Sequence, residues 1–172
     1  MKYTLFTLFL VFGLNIQAQE FRTQLGQQVP GFQMVSSTGQ IYEIEDFRGK
    51  PLLIVLFGTH CGPCLRELPV IDERINKKYG KDEITILAIA ASNHQLDVDN
   101  FRAKWDYDFI FVPDPMQKVF NLFAWSTIPR NVLVDKNGKI IFQSIGYNKS
   151  PFEKMAKLIE REVATMQSSV AR

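Results

Sequence analysis

The chain has two cysteines, and both lie in the sequence Cys61-Gly62-Pro63-Cys64. Proline is favoured in the first turn of a helix, because its ring fixes a helical φ angle and its missing N–H is not needed there. Side chains three residues apart lie on one face of a helix, within reach of a disulfide bond. The spacing therefore predicts a redox-active dithiol at the start of a helix, with Gly62 and Pro63 in its first turn.

The two sulfurs are expected to act in a fixed order. Cys61 precedes the helix and faces its unpaired N–H groups and the positive end of its dipole, which stabilise a thiolate. Cys64 lies one turn inside, where the helix shields it. We therefore expect Cys61 to attack a substrate disulfide and Cys64 to resolve the mixed disulfide.

The segments around the cysteines alternate between strand and helix patterns, which is typical of an α/β domain. Leu52 to Phe57 and Ile84 to Ala90 are apolar runs of the kind found in buried parallel strands. A helix that ends near Gly80 joins them as a right-handed crossover. Asn137-Gly138 predicts a later antiparallel hairpin, and Pro151 to Met166 an amphipathic closing helix.

Two further regions complete the predicted domain. Phe32 to Val35 and Ile41 to Ile44 flank a Ser/Thr/Gly turn and predict an N-terminal hairpin. Phe21 to Val29, ahead of it, is polar and is expected to be a loosely held arm. After the second apolar run, Leu96 to Trp105 suits a surface helix. A short strand and a helix over Met116 to Phe123 should follow.

The strand, the Cys-Gly-Pro-Cys turn and the following helix with Pro69 together resemble the thioredoxin superfamily. The segment Cys64-Leu65-Arg66-Glu67-Leu68-Pro69 resembles the C-x-x-C-x-x-E-x-P signature of its extracytoplasmic TlpA/ResA-like branch. The likeness runs from about Gly26 to the last helix. It implies an α/β thioredoxin fold: a central mixed β-sheet flanked by helices, with an extra N-terminal β-hairpin and an insertion between core strands.

The same resemblance implies a substrate-binding role for Pro129. In this fold the Ile128–Pro129 bond is expected to be cis and packed against the dithiol, which leaves the Ile128 backbone open to an extended substrate segment. An ordinary loop proline is the alternative. Arg130-Asn131 follows where family members often have threonine, and a cation near Cys61 would favour its thiolate.

Glu67 matches the glutamate of the branch signature. A partly buried carboxylate one turn after Cys64 is suited to accept the proton of that thiol when it attacks. Val55 aligns with the buried aspartate of thioredoxins, so that Glu67 is its nearest replacement. The alternative is a solvated first-turn acid that stabilises the helix dipole.

Three other side chains are candidates for minor roles. Trp125, with Phe123, is a candidate apolar floor for peptide substrates, although aromatic residues at such places are often core. His60 stands beside Cys61 where thioredoxins usually have tryptophan; it either favours the thiolate when protonated or only shapes the rim. His94 has no motif partner and is expected to be solvated.

Residues 1–18 have the three parts of a secretory signal: Lys2, an apolar stretch from Leu5 to Leu14, and the small residue Ala18. We expect cleavage after Ala18, which leaves one domain over residues 19–172. The apolar stretch is short for a bilayer span, so a retained membrane anchor is the less favoured alternative. No cysteine follows it, which argues against lipoprotein attachment.

The composition sets further bounds. With 46% hydrophobic and 22% charged residues in 172, the chain fits one soluble domain. Without Lys2, the 20 basic residues become 19 against 18 acidic ones, which does not favour nucleic acid as a partner. Two histidines and two cysteines make a four-ligand zinc site improbable, and Leu65 stands where a c-type haem site needs histidine. No metal or other cofactor is expected besides the cysteine pair.

These patterns predict an exported, periplasmic thiol-disulfide oxidoreductase without nucleic-acid partners. Gly62-Pro63 resembles the thioredoxin pair and favours a reductant. The TlpA/ResA likeness implies protein substrates such as apocytochrome c, and an upstream membrane electron donor. Three alternatives remain: a peroxiredoxin-like peroxidase, a non-enzymatic polypeptide binder, and an oxidant or isomerase. Against the peroxidase, the segment before Cys61 lacks the proline expected of that family and has its threonine at a shifted position.

Overall fold

The computed structural model describes residues 21–170, so the predicted leader at residues 1–18 lies outside the described residues. The strands are β1 (Gln33–Val35), β2 (Ile41–Glu43), β3 (Leu52–Phe57), β4 (Thr85–Ala91), β5 (Ile110–Asp114), β6 (Arg130–Val134) and β7 (Ile140–Ile145). The helices are α1 (Gly62–Ile71), α2 (Lys77–Glu83), α3 (Gln95–Lys104), α4 (Phe120–Phe123) and α5 (Lys149–Val170).

A mixed sheet in the order β5-β4-β3-β6-β7 forms the centre of the domain. β3 is parallel to β4 and antiparallel to β6, and all of its side chains are buried, as its apolar run predicts. β6 and β7 are antiparallel across the predicted Asn137-Gly138 turn. β1 and β2 pair as a separate antiparallel hairpin. The predicted thioredoxin fold with its extra hairpin is therefore confirmed.

The side chains of β3 alternate between two hydrophobic clusters, one on each face of the sheet. Leu53, Val55 and Phe57 face the cluster that includes buried residues of α1, α3 and α5. The alternate residues face a second cluster with β1, the 3-10 helix Ile44–Phe47 and α4. Each fully buried aliphatic or aromatic side chain stabilises the fold by about 1.5–3 kcal/mol, so β3 anchors both halves of the core.

The helix that begins at the dithiol changes form before it ends. Pro69 lies inside α1, where it donates no backbone hydrogen bond, and a π-helical turn at Asp72–Asn76 follows before α2 begins. The backbone leaves the helical conformation at Gly80, with φ 68° and ψ 172°. Glycine tolerates this positive φ without a steric penalty. The helical conformation is interrupted at Gly80, as predicted, but a further short turn continues to Glu83, where α2 ends.

The insertion between β4 and β6 contains α3, β5 and α4, and β5 lies at the sheet edge, parallel to β4. α4 is shorter than the predicted helix over Met116 to Phe123. The Asp114 carboxylate accepts hydrogen bonds from the backbone N–H groups of Lys118, Val119 and Phe120 at 2.7–3.1 Å. These bonds hold the segment ahead of α4 in a turn around the carboxylate.

The arm at residues 21–29 is docked, so the expectation of a loosely held segment was wrong. Phe21 bridges Ala124, and Gln28 bridges Lys139. Thr23 is buried, and its hydroxyl donates to Gln143 Oε1 at 2.7 Å. The polar composition suggested that the arm is exposed to solvent. The residues that it contacts lie more than 100 positions away in sequence and become its neighbours only in the fold.

Candidate active site

Cys61 and Cys64 form a disulfide at the start of α1, with their Cα atoms 5.2 Å apart. Cys61 is the N-cap residue of the helix, and its sulfur accepts a hydrogen bond from the Cys64 N–H at 3.3 Å. Pro63 lies in the first turn, as predicted. One free N–H group of the helix end is thus already directed at the Cys61 sulfur, where it would stabilise a thiolate after reduction.

The two sulfurs differ in their access to solvent. Cys61 is half-buried and Gly62 and Pro63 are exposed, whereas Cys64 is 0% exposed. A substrate disulfide can therefore approach Cys61 directly but cannot reach Cys64. This difference agrees with the order of attack that the sequence predicts.

The loop before β6 passes directly beside the dithiol. The Ile128–Pro129 peptide bond is cis, as the resemblance implied, and the Ile128 carbonyl oxygen lies 4.0 Å from the Cys61 sulfur. Pro129 is buried and Ile128 is half-buried. A Cβ atom on Gly58, at the end of β3, would lie only 3.0 Å from Ile128 Cδ1, so that the absence of a side chain at this position permits the close approach.

Glu67 lies beneath the dithiol and is 1% exposed. The Asn131 side-chain N–H donates to Glu67 Oε1 at 2.6 Å. Burial raises the pKa of Glu67 from 4.5 to about 7, although the hydrogen bond from Asn131 acts to lower this pKa. The alternative interpretation of Glu67 as a solvated acid was wrong, because α1 turns this side chain toward the sheet.

Asn131 belongs to a row of three side chains on the face of the sheet below α1. It is the register partner of Val55 in β3 and of Ser144 in β7, and its Nδ2 also lies 3.4 Å from Ser144 Oγ. Val55 is fully buried. Asn131 therefore supplies the polar contact of Glu67. This role of Asn131 is not visible in the sequence, because only the strand register places it opposite the helix.

Arg130 does not provide the cation suggested for Cys61. Strand alternation directs it to the face opposite Asn131, where its guanidinium donates to the carbonyl oxygens of Ser126 and Thr127 at 2.6–2.9 Å. The guanidinium carbon also lies 4.7 Å from the centre of the Phe21 ring. Arg130 thus joins the docked arm to the loop that carries Ile128.

His60 is held by a hydrogen-bonded chain that starts at Asn93, in the loop after β4. Asn93 accepts from the Thr59 N–H at 3.1 Å and donates to Thr59 Oγ1 at 3.0 Å. Thr59 Oγ1 lies 3.0 Å from His60 Nδ1. The chain fixes the residues just before Cys61, and a groove of about 420 Å³ opens next to it, lined by His60, Leu65, Asp97, Phe101, Lys104 and Trp105 among others. His94, exposed at the N-cap of α3, is not part of this chain.

Trp125 and Phe123 have different surroundings. Trp125 is 62% exposed and the Arg22 guanidinium carbon lies 3.3 Å above its ring centre, whereas Phe123 is fully buried. Phe123 is therefore a core residue, and of these two aromatic residues only Trp125 is exposed at the surface. Across residues 21–170, no group of three His, Cys, Asp or Glu side chains is placed to hold a metal ion, and no helix is both long and apolar enough for a bilayer span.

Comparison with known proteins agrees with this arrangement. The model of the family described as Redoxin matches residues 24–159. The thiol-disulfide oxidoreductase ResA of Bacillus cereus is 30% identical over 129 residues, which cover 75% of this chain and 74% of the relative. That of Geobacillus thermodenitrificans is 31% identical over 126 residues, covering 73% and 72%. A solved Bacteroides thetaiotaomicron structure, of a candidate protein disulfide isomerase, superposes with a TM-score of 0.80 at 24% identity, covering 84% of this chain and 93% of that one.

Proposed function

The chain belongs to the redoxin family and is a thiol-disulfide oxidoreductase of the ResA-like kind, and from that premise we propose that it reduces disulfide bonds of exported proteins. The observation that carries the proposal is the pair of unequally exposed sulfurs at a helix start, with a backbone carbonyl beside the outer one. Cys61 is the nucleophile, Cys64 the resolving thiol, and Gly62 and Pro63 shape the turn between them.

The reaction exchanges one disulfide for another. In the reduced protein, the Cys61 thiolate attacks one sulfur of the substrate disulfide, and the other substrate sulfur leaves as a thiolate. Cys64 then attacks the Cys61 sulfur, so that the Cys61–Cys64 bond forms and the mixed disulfide breaks. The substrate gains two electrons and two protons. The present structure, with its disulfide closed, corresponds to the protein after this step.

Substrate binding is assigned to the loop before β6. An extended segment of the substrate hydrogen-bonds to the backbone at Ile128, next to Pro129, in the manner of an added strand. This contact aligns the substrate sulfur with Cys61 because Ile128 O is only 4.0 Å from that sulfur. Trp125, exposed in the same loop, provides an apolar contact for unfolded polypeptides.

Glu67 acts as the base for the second step. It lies one turn after Cys64 on the same helix and is buried with it. A pKa of about 7 lets the carboxyl group exchange protons near neutral pH. The proton of the Cys64 thiol passes to Glu67 as Cys64 attacks.

The sequence pattern and the family support further proposals about export, substrate and electron supply. The leader-like residues 1–18 support secretion to the periplasm, with membrane tethering if they are retained. The ResA likeness supports exported protein substrates such as apocytochrome c. A reductant outside the cytoplasm must be re-reduced, which requires an electron donor in the membrane. No prosthetic group is needed for the exchange.

The test is a trapping experiment combined with a redox titration. A Cys64→Ala variant, expressed with its own leader, should accumulate mixed disulfides through Cys61 with exported proteins, and Cys61→Ala should not. The equilibrium potential against glutathione should lie near the roughly −270 mV of thioredoxin. A value near about −120 mV would instead identify an oxidant. Steady peroxide turnover by the parent protein would identify a peroxidase. Substrate binding that is undiminished in these variants, together with no disulfide exchange by the parent protein, would identify a binding module.

A further inference from the structure

Two buried oxygen atoms beneath the dithiol have no hydrogen-bond partner among the described residues. They are Glu67 Oε2 and Asn131 Oδ1. Both belong to side chains that are 1% exposed and that already share the 2.6 Å bond from Asn131 Nδ2 to Glu67 Oε1. An unsatisfied buried polar atom costs about 1–3 kcal/mol. Two such atoms within one bonded pair of side chains require an explanation.

One proton on Glu67 would satisfy both atoms at once if it is donated from Oε2 to Asn131 Oδ1. When Glu67 is protonated on Oε2, that oxygen becomes a hydrogen-bond donor. Asn131 Oδ1 is an acceptor on the same amide whose N–H group already binds the other carboxyl oxygen, Oε1. We propose that Asn131 is the positioning residue for the proton of Glu67: the protonated acid and the amide form a reciprocal pair, with Nδ2–H donating to Oε1 and Oε2–H donating to Oδ1.

Asn131 also holds the ionised form of Glu67. The Nδ2–H group donates to Oε1 in either protonation state, and a hydrogen bond to a charged group is worth more than one to a neutral group. Without this donor, the buried carboxylate would have no compensation for its lost hydration, and the acid would stay protonated at higher pH. Asn131 thus keeps the proton of Glu67 exchangeable near neutral pH.

The side chains of the sheet around Glu67 carry no charge, so its hydrogen bonds with Asn131 are the main polar influence on the pKa of Glu67. β3 presents Val55 to the site, β6 presents Asn131 and β7 presents Ser144, and none of these side chains titrates. Apart from Glu67, this part of α1 carries Cys64 and its N-cap residue Cys61, which titrate once the disulfide is reduced, and Arg66, whose side chain is exposed. The inference rests on the proposed role of Glu67, because the proton held between Oε2 and Oδ1 is the one that Cys64 delivers when it attacks.

The proton can be followed without measuring activity. In the oxidised protein, where the cysteines do not titrate, the Asn131 side-chain amide resonances should follow the Glu67 carboxyl carbon through one common midpoint in a pH titration by NMR. In Glu67→Gln this titration should vanish from the Asn131 resonances. Amide resonances of Asn131 that ignore the Glu67 titration would overturn the pair, and this measurement needs no substitution at Asn131.

The consequence for the reaction is tested with Asn131→Leu and its control Ser144→Ala, which leaves the Glu67–Asn131 bond in place. Asn131→Leu should slow disulfide exchange at pH 7 by about five- to sixfold for the first pH unit by which the Glu67 midpoint rises above 7, and by about tenfold for each further unit. The rate should recover at alkaline pH. Ser144→Ala should stay within about twofold of the parent at every pH, since it removes only the weak 3.4 Å contact.

The outcomes separate this inference from the proposed function. An equal loss of rate in Asn131→Leu at every pH would indicate a purely structural residue and overturn the positioning role. A pH–rate profile left unchanged by Glu67→Gln would show that Glu67 is not the base, whatever Asn131 does. A profile changed by Glu67→Gln but not by Asn131→Leu would overturn the pair alone.

Discussion

The carbonyl oxygen of Ile128 and the sulfur of Cys61 lie 4.0 Å apart, although 67 residues separate them in sequence. Gly58 borders the same contact, since a Cβ atom there would meet Ile128 Cδ1 at 3.0 Å. The missing side chain at Gly58, directly after β3, therefore allows the Ile128 backbone to lie this close to the Cys61 sulfur.

Gly58→Ala should displace Ile128 by a few tenths of an ångström and lower the rate of exchange with protein disulfides several-fold, with about 1 kcal/mol lost from the free energy of unfolding. Stopped-flow exchange assays and urea unfolding measure the two effects. The double variant Gly58→Ala, Ile128→Val lacks the clashing Cδ1 atom and should regain most of the rate. No recovery would show that Gly58 acts through another contact.

In the reduced protein, Cys61 should be alkylated at least about tenfold faster than Cys64 near neutral pH, because only Cys61 combines exposure with the helix N-terminus. Mass spectrometry after timed iodoacetamide quenching gives both rates. The single variants Cys61→Ser and Cys64→Ser assign the labelled thiol. Equal rates at the two cysteines would contradict the proposed order of attack.

Glu67 should make the stability of the oxidised protein depend on pH. Its pKa is about 7 in the folded protein and 4.5 without the fold, so the folded state keeps a proton that the unfolded chain releases between these values. The stabilisation is complete below pH 4.5 and is lost as the pH rises to 7, an upper limit of about 3 kcal/mol. Urea unfolding across this range should show the decline.

Glu67→Gln should remove this part of the pH dependence, since an amide does not titrate there and can make both hydrogen bonds with Asn131. Glu45→Gln is a matched control, because Glu45 is an exposed carboxylate, and it should leave the decline in place. If the decline persists in Glu67→Gln, the carboxyl group of Glu67 does not hold a proton at neutral pH.

Trp125→Ala should raise the KM for an unfolded protein substrate a few-fold and leave the reduction of a small aromatic disulfide unchanged, because only the large substrate extends to the loop surface. Leu96→Ala is the matched control, since Leu96 on α3 is 69% exposed and Trp125 is 62% exposed. An equal effect on both substrates would place Trp125 in the positioning of Cys61 rather than in polypeptide binding.

The local parts of the fold and site were predictable from sequence. The apolar run at Leu52–Phe57, the proline in the turn after Cys61 and Asn137-Gly138 each fix their structure through neighbouring residues. The family signature singled out Glu67, and the fold resemblance singled out Pro129.

The parts that depend on strand register were not predictable. Asn131 meets Glu67 across 64 residues, and nothing in the local pattern distinguishes it from Arg130, whose side chain is directed to the opposite face. Asn93 is tied to Thr59 in the same non-local way. Two polar residues, Arg130 and Asn131, were visible after Pro129 in the sequence, but only the pairing of β6 with β3 shows which of them faces α1.

The docked arm has a practical consequence for labelling. Phe21 bridges Ala124, and Arg22 covers the ring of Trp125, so the chain enters the domain beside the loop that carries Ile128. If polypeptide substrates bind at that loop, as we propose, a fluorophore attached at residue 22 should change its emission when a substrate is added. An affinity tag fused directly to Phe21 would start beside that loop, so binding assays should use a protein tagged elsewhere.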